Sequence, residues 1–205
     1  MGFVIDFDLS TVLFFSLIWI GMVTFLRLKK KKSLVYLIFF TIFYVYIVKV
    51  LDFTQFPIYL TESMRANIGQ NVWTNMNLIP LFTITQKTIM TSVLNVLVTI
   101  PFGFGLPFIS NLRMRQVVLA GLITSITLEV LQLFTAFGAG FTFRVVDIND
   151  IIFNTLGVAI GYTLFIGFIR GYRFLLSKWG IPQNPILKYI VERPQIPSKN
   201  ISPGQ

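Results

Sequence analysis

Five long apolar stretches, nearly free of charged residues, alternate along the chain with shorter polar segments. The stretches are Leu9 to Leu28, Leu34 to Leu51, Thr88 to Ser110, Val117 to Phe137 and Ile151 to Ile169. A helix needs roughly 20 consecutive apolar residues to cross the hydrocarbon core of a bilayer, and each stretch is close to that length. The pattern therefore predicts an all-α polytopic membrane protein with about five transmembrane helices.

The composition agrees with this class and narrows the available chemistry. Of the 205 residues, 55% are hydrophobic and only 12% are charged, whereas soluble domains carry about 25% charged residues. The chain has no His and no Cys, which excludes Ser-His-Asp triads, disulfides, thiol nucleophiles and zinc sites with nitrogen or sulfur ligands. We therefore predict no cofactor and no such metal site, so any catalysis would rest on carboxyl, basic, hydroxyl or amide groups.

The basic residues indicate how the helices are oriented. Most of the 17 Lys and Arg residues follow the first, third or fifth stretch, as in the run Lys29 to Lys32. Cytoplasmic loops of membrane proteins carry the excess of basic residues, so we expect the N-terminus outside the cell and the C-terminus in the cytoplasm. The net charge of +9 is divided among three flanks. We therefore expect the lipid bilayer as a partner, and no nucleic acid.

Three regions follow from this division of the chain. Residues 1–33 form a first membrane anchor with its basic flank, residues 34–172 form the main membrane domain, and residues 173–205 form a cytoplasmic tail. Prolines recur between residues 182 and 203 and predict a largely flexible tail. A short helical stretch is expected around Ile186 to Glu192.

The third stretch and the segment before it carry further signals. Trp73 indicates that the segment from Asp52 to Lys87 lies along the membrane interface. Pro101 and Pro107 each remove a helix hydrogen bond, which predicts a kinked third helix. Asn95 precedes Pro101 within the third stretch. We expect its amide to hydrogen-bond a neighbouring helix.

Glu129 is the one charged residue inside the fourth stretch. An ionisable group within a membrane is costly, and it is usually paired or functional. Glu129 precedes Phe137 by eight residues, which places it about 12 Å from the outer end of its helix at roughly 1.5 Å per residue. Gln132 follows three residues later and therefore shares the same helix face.

A polar segment separates the fourth stretch from the fifth. After a glycine-rich turn, the chain contains Arg144, Asp147, Asn149, Asp150 and Asn154. Asp147 or Asn149 is suitably placed to cap the fifth helix, where a carboxylate also complements the helix dipole. We expect all of these residues near the outer membrane surface.

Gly157 and Gly161 have the GxxxG spacing that lets a second helix approach closely. We expect the fourth helix to be this partner. Such packing would bring Asn154 toward Gln132 and Glu129.

These positions together predict one polar cluster at the outer membrane interface. Its members are Glu129, Gln132, Arg144, Asp147, Asp150 and Asn154. A simpler interpretation is that the aspartates only cap a helix and that Arg144 only pairs with them. That interpretation does not account for Glu129, which needs a partner of its own.

Several of these residues form motifs that resemble a known family. From Glu129 to Tyr162 the chain contains E-x-x-Q, R-x-x-D-x-x-D and N-T-L-G with a further glycine, and Asn77 to Pro80 reads N-L-I-P. In these motifs and in its number of spans, the chain resembles the VanZ-like membrane proteins. The matching positions are Asn77, Pro80, Glu129, Gln132, Arg144, Asp147, Asp150, Asn154, Gly157 and Gly161.

The resemblance implies a protein of the bacterial cytoplasmic membrane that is associated with resistance to teicoplanin and related lipoglycopeptide antibiotics. It implies motif residues but no catalytic ones. We therefore add Asn77 to the polar cluster as a candidate ligand-binding residue. Pro80, Gly157 and Gly161 become candidate helix-packing residues.

Two functions from different classes remain open at this point. The first is non-enzymatic: the outward-facing polar cluster reduces the access of lipoglycopeptides to the cell surface. The second is an enzyme or carrier acting on an envelope lipid or surface glycan intermediate. In that alternative, the three carboxyl groups would hold a divalent cation through oxygen ligands, and Arg144 would steady a phosphate.

Overall fold

Helices account for most of the chain in the computed structural model, which describes residues 2–61, 72–81, 86–141, 145–179 and 184–192. Within these ranges, five helices are long and apolar enough to cross a membrane. They are α1 (Leu9–Leu28), α2 (Leu34–Gln55), α3 (Gln86–Ile109), α4 (Met114–Ala139) and α5 (Ile148–Trp179). The predicted all-α membrane architecture is therefore confirmed, while the orientation of its termini stays a prediction.

The ends of the helices follow from local capping chemistry. The Asp8 side chain accepts a hydrogen bond from the backbone N–H of Thr11 at the start of α1, and Ser33 accepts one from Tyr36 at the start of α2. Gly140 ends α4 with φ of 74°, a left-handed conformation that glycine adopts without steric cost. Short polar residues are the expected signals for a helix start, and a glycine is the expected signal for a helix end.

The fifth helix is longer than its apolar stretch. It continues past Ile169 to Trp179 and has 32 residues, so it is about 48 Å long at roughly 1.5 Å per residue. The hydrocarbon core is only about 30 Å thick. Helix α5 is therefore longer than the hydrocarbon core is thick. Its last turns, which carry the basic residues beyond Ile169, continue past the core as part of the same helix.

The GxxxG face of α5 packs against α3, so the prediction that it packs against α4 is wrong. A Cβ atom added to Gly157 would overlap Val96 O, and one added to Gly161 would overlap Ile100 O. The physical reason lies in α3, whose own Gly103 lies against the backbone of Val158. Because glycines of both helices lie at the crossing, the backbones of α3 and α5 come into contact there, whereas α4 meets Val158 of α5 through its side chain.

A cluster of aromatic and aliphatic residues fills the centre of the α3–α4–α5 bundle. Its buried members are Phe102, Phe108, Val117, Val158, Tyr162, Phe165 and Ile169. The ring of Phe108 lies edge-on to that of Phe165, with centroids 5.1 Å apart. Helix α4 contacts α5 through Gly121, where an added Cβ would lie 2.6 Å from Cγ2 of Val158.

Pro101 and Pro107 both lie inside α3, which remains one helix of 24 residues. The hydroxyl of Tyr46 on α2 donates a hydrogen bond to Val98 O at 2.8 Å, near the first proline. Pro101 lacks the N–H that would bond Leu97 O in a regular helix, so the bond from Tyr46 is made to the carbonyl next to the interrupted one. A bend of α3 at these prolines stays a prediction.

Two short strands form a small sheet that the sequence pattern did not predict. Strand β1 (Gly2–Ile5) precedes α1, strand β2 (Ile58–Thr61) follows α2, and the two pair antiparallel. Helix α1 has no buried residues. It is attached to α2 by hydrogen bonds such as the one from the Tyr44 hydroxyl to Phe15 O, at 2.6 Å.

The expected helix in the tail is present as α6 (Pro185–Val191). Its Tyr189 ring stacks on Phe39 with centroids 5.3 Å apart, and its hydroxyl donates to Phe108 O at 2.6 Å. From α5, the Arg173 guanidinium donates to Val191 O at 2.6 Å. The helical part of the tail therefore docks on the end of the bundle where α2 begins and α3 ends; the predicted flexibility of residues 193–205 lies outside the described residues.

Candidate functional site

The residues before α3 are tied directly to the start of α5 through Asn77. The backbone N–H of Asn77 donates to Val146 O at 3.0 Å, and the backbone N–H of Ile148 donates to Asn77 O at 2.9 Å. The Asn77 side-chain amide also donates to Oδ1 of Asp147 at 2.9 Å. Two motif residues that are 70 positions apart in the sequence thus form one ladder of hydrogen bonds.

Glu129 completes this connection from the middle of α4. It is only 5% exposed, and its Oε2 accepts the backbone N–H of Asp147 at 3.1 Å. Oδ1 of Asp147 also accepts the backbone N–H of Asn149 at 2.8 Å, as a helix N-cap does. Asp147 therefore caps α5, as predicted, and its own backbone is held by Glu129.

The start of α5 consequently lies beside Glu129 and not beside the end of α4. Ala139, the last residue of α4, follows Glu129 by ten positions, which is about 15 Å of helix at roughly 1.5 Å per residue. The physical reason is that Glu129 needs a polar partner inside the bundle. The N–H of Asp147 supplies one only if α5 begins at that level.

Asp150 is held from the third helix. The side-chain amide of Asn95 donates to Oδ1 of Asp150 at 2.6 Å, which confirms the expectation that Asn95 bonds a neighbouring helix. The hydroxyl of Thr99, one turn further along α3, donates to Asn95 O at 2.7 Å. Asp147 and Asp150 are thus bound by amide groups from two different segments.

Asn154 and Gln132 do not meet as predicted. The Asn154 amide donates to the Ser125 hydroxyl oxygen at 2.9 Å, one turn before Glu129 on α4. The Gln132 amide instead donates to Thr54 O on α2 at 3.2 Å. Because α5 begins at the level of Glu129, its residue 154 lies alongside residue 125 of α4, and Gln132 is left to face α2.

The N-L-I-P motif forms a turn that Asn149 holds in place. The buried Asn149 side-chain oxygen accepts the backbone N–H of Leu81 at 2.8 Å. Leu81 adopts φ of 57°, which is uncommon for a non-glycine residue. Pro80, for which we predicted a role in helix packing, is an exposed turn residue, because the bonds from Asn77 and Asn149 bracket it at the surface.

The three carboxyl groups of this network have amide and backbone partners. Among the residues that the structure describes, the ion pairs are Lys49–Asp52 and Lys188–Glu192, both away from Glu129. The same residues contain no group of three or more acidic side chains arranged to hold a metal ion. Arg144, the cation predicted for this cluster, lies outside the described residues.

An apolar groove of about 350 Å³ lies beside the network, between α3 and α5. Its lining includes Ile89, Val93 and Leu97 from α3 and Phe153 and Leu156 from α5. Asn149 and Leu81 also line it, so the hydrogen bond that ends the N-L-I-P turn closes one side of the groove.

The buried network is named for Ser125, Glu129 and Asn149, which are buried, and includes five half-buried residues: Asn77, Asn95, Asp147, Asp150 and Asn154. Sequence reasoning missed Ser125 as a member. Its spacing was a usable signal, because Ser125 lies four residues before Glu129 and therefore on the same face of α4. Asn149 was expected only as a cap, whereas it also binds the preceding segment through Leu81.

Comparison with known protein families gives a match that covers most of the membrane-spanning helices. The sequence model of the VanZ/LLP1 family matches residues 34–170. This range includes every residue of the buried network. No curated protein matches the chain, and no solved structure matches it.

Proposed function

Because the chain belongs to the VanZ/LLP1 family, we propose that it confers low-level resistance to teicoplanin and related lipoglycopeptides by reducing their access to the cell surface. The family and the five apolar helices make it a multi-pass membrane protein; its place in this proposal is the bacterial plasma membrane. The supporting observation is the bonding of Glu129 and Asn77 to the same residue, Asp147.

The network has a mechanical consequence for the segment before α3. Asn77 and Leu81 are both bonded to the start of α5, so the turn between them is held against the bundle. Three apolar side chains of this turn, Leu78, Ile79 and Leu81, are more than half exposed. In the proposed orientation, they form an apolar surface at the outer end of α5, to which the turn is bonded.

An apolar surface at that position fits the chemistry of the proposed target. Lipoglycopeptides such as teicoplanin carry an acyl chain that anchors them in lipid, and vancomycin lacks it. Trp73 extends the surface on the α4 side, where its ring lies 5.0 Å from that of Phe137. We infer that the exposed turn interferes with acyl-chain anchoring and that the buried network keeps the turn in position.

The experiment is a susceptibility assay in a sensitive Gram-positive host that expresses the wild type, Asn77→Ala, Asp147→Ala or the control Asp52→Ala. Asp52 is a carboxylate paired with Lys49 and not with the network. We expect the wild type and the control to raise teicoplanin resistance but not vancomycin resistance. Asn77→Ala and Asp147→Ala should lose that protection at equal membrane levels on a blot.

Two results would argue against the proposal. Equal protection by all four proteins would separate the network from resistance. No protection by the well-expressed wild type would mean that the family phenotype does not extend to this chain.

A second candidate function is an enzyme or carrier for an envelope lipid or surface glycan intermediate. The observation that favours it is the position of Asp150 and Asn149: two polar side chains at the start of α5, one of which lines an apolar groove. The test is incubation of the purified full chain with an isoprenoid-phosphate substrate, with and without Mg²⁺ or Mn²⁺. A chain that neither changes nor binds this substrate would exclude the second candidate.

A further inference from the structure

The groove between α3 and α5 is built from one face of each helix. On α3, Ile89, Val93 and Leu97 recur every four residues, which places them on one side of the helix. All three are about half exposed, so no other described element of the chain covers them. Within the described part of the chain, the groove is therefore open toward the surroundings of the bundle.

Those surroundings are hydrocarbon, because the groove lies on two of the membrane-spanning helices. From Ile89 to Leu97 the groove follows α3 for eight residues, or about 12 Å at roughly 1.5 Å per residue. One leaflet of the hydrocarbon core is about 15 Å thick, half of roughly 30 Å. The length of the groove therefore corresponds to one hydrocarbon chain in one leaflet.

The volume of the groove points to a single chain. At about 350 Å³, it lies at the small end of the range of about 300 to 1,000 Å³ for ligand pockets. A whole two-chain lipid would exceed it. One apolar chain fits a lining in which Ile89, Val93, Leu97, Phe153 and Leu156 supply most of the surface.

The lining of the groove is almost entirely apolar, and one end of the groove adjoins the buried network. Asn149 lines the groove, accepts the Leu81 N–H and donates its own N–H to Asp147. Thr88 adds a hydroxyl-bearing side chain at the end of the groove nearest the start of α3. Ser92 also lines the groove, one turn further along α3. Thr88 and Asn149 lie where α3 and α5 begin, so their end of the groove is the one nearest the membrane interface, where a lipid head group lies.

We propose that this groove is a binding site for one acyl chain of a membrane phospholipid, with the head group at the Asn149 and Thr88 end. The site places a lipid head group beside the network that binds the N-L-I-P turn. The proposal does not depend on either candidate function, because it concerns occupancy of the groove and not resistance or catalysis.

The test is photo-crosslinking of the purified full chain in dodecylmaltoside micelles. The probe is phosphatidylglycerol with a diazirine at the middle of one acyl chain, and the labelled positions are mapped by mass spectrometry. We expect saturable labelling of residues 88–97 and 149–156 that excess unlabelled phosphatidylglycerol displaces. The exposed α1 residues Leu13 and Leu17 report unspecific labelling, which should rise linearly with the probe.

A matched pair of substitutions assigns the labelling to the groove. Val93→Phe places a larger side chain in the groove and should lower the labelling roughly tenfold, since overfilling a packed site is costly. Leu94→Phe is the control, because Leu94 is exposed on the same turn but is not part of the groove lining. Its labelling should equal that of the wild type.

Three outcomes would overturn the proposal. The first is groove labelling that rises linearly with the probe, as on α1. The second is equal labelling of Val93→Phe and Leu94→Phe when both proteins are folded. The third is displacement of the probe by teicoplanin but not by phosphatidylglycerol, which would assign the groove to the antibiotic's acyl chain.

Discussion

Oε2 of Glu129 accepts the backbone N–H of Asp147 at 3.1 Å, which joins the middle of α4 to the first turn of α5. This contact sets the stagger of the two helices and so decides which polar side chains meet. Asn154 reaches Ser125 because of it, and Gln132 turns to α2. The buried carboxyl of Glu129 therefore does more than bond one N–H, because this bond positions the whole of α5.

Removal of the Glu129 carboxyl should destabilise the bundle. Glu129→Ala leaves the N–H of Asp147 without its acceptor inside the protein, at a cost of roughly 1–3 kcal/mol. Glu129→Gln keeps an oxygen acceptor and should lose less. The measurement is the unfolding midpoint in a titration of dodecylmaltoside micelles with dodecyl sulfate, with the exposed neighbour change Val130→Ala as control. If Glu129→Ala and Val130→Ala had the same midpoint, the contact would contribute nothing to stability.

The hydrogen bond between Asn95 and Asp150 should appear as a coupling free energy between α3 and α5. In a double-mutant cycle of Asn95→Ala and Asp150→Ala, we expect a coupling of about 0.6 kcal/mol and at most about 1.7 kcal/mol, as for other hydrogen bonds between membrane helices. The same unfolding titration measures it. Asn95→Ala combined with Gln132→Ala serves as the control cycle, because Gln132 bonds to α2. Additive effects in the first cycle would contradict the 2.6 Å contact.

The close approach of α5 to α3 should make Gly161 intolerant of a methyl group. The Cβ of Gly161→Ala would overlap Ile100 O, whereas nothing lies within 4 Å of a Cβ added at Gly167 on the same helix. We expect Gly161→Ala to lose about 1–3 kcal/mol of stability through overpacking. Gly167→Ala should be neutral or gain up to about 1 kcal/mol from helix propensity. Equal stability of the two variants would show that α3 packs elsewhere.

The docking of the tail helix should depend on one hydroxyl group. Tyr189→Phe keeps the ring that stacks on Phe39 and removes the hydrogen bond to Phe108 O. We expect a loss of about 0.5–1.5 kcal/mol in docking, seen as faster proteolytic cleavage after residue 179. Tyr189→Ala, which also removes the stacked ring, should be cleaved faster still. Identical cleavage of the wild type and Tyr189→Ala would mean that α6 does not rest on the bundle.

The orientation of the helices can be measured directly because the chain has no Cys. A single Leu78→Cys lies in the exposed turn on the predicted outer side, and a single Ser177→Cys lies near the end of α5 on the predicted cytoplasmic side. A membrane-impermeant maleimide should label the first in intact cells, and the second only after lysis. The reverse pattern would invert the predicted topology and place the network at the cytoplasmic face.

Much of the fold was predictable because it depends on local properties of the chain. Runs of apolar residues predicted all five helices, and Asp147, one of the two residues expected to cap α5, does so. Asn95 was expected to bond another helix because an amide in hydrocarbon needs a partner. The small sheet was not predictable, since four residues such as Gly2 to Ile5 become a strand only by pairing with β2.

Part of the candidate site could also be predicted from the sequence. A carboxyl within a transmembrane stretch and several polar groups at the start of the next helix indicated that Glu129, Asp147 and Asp150 would be connected to other polar groups. The motif N-L-I-P was singled out by resemblance alone. Its physical role became evident only when Asn77 was seen to pair with Asp147.

The distribution of apolar residues alone settles that this chain forms five long helices, because each stretch must lose contact with water whatever its neighbours are. It does not settle which helix meets the glycines of α5 or how far α4 and α5 are staggered. Those choices depend on the contacts that several helices offer at once: Gly103 of α3 faces the backbone of Val158, whereas Gly121 of α4 faces its side chain. Glu129 then selects one level for the start of α5, because only there does a backbone N–H reach it.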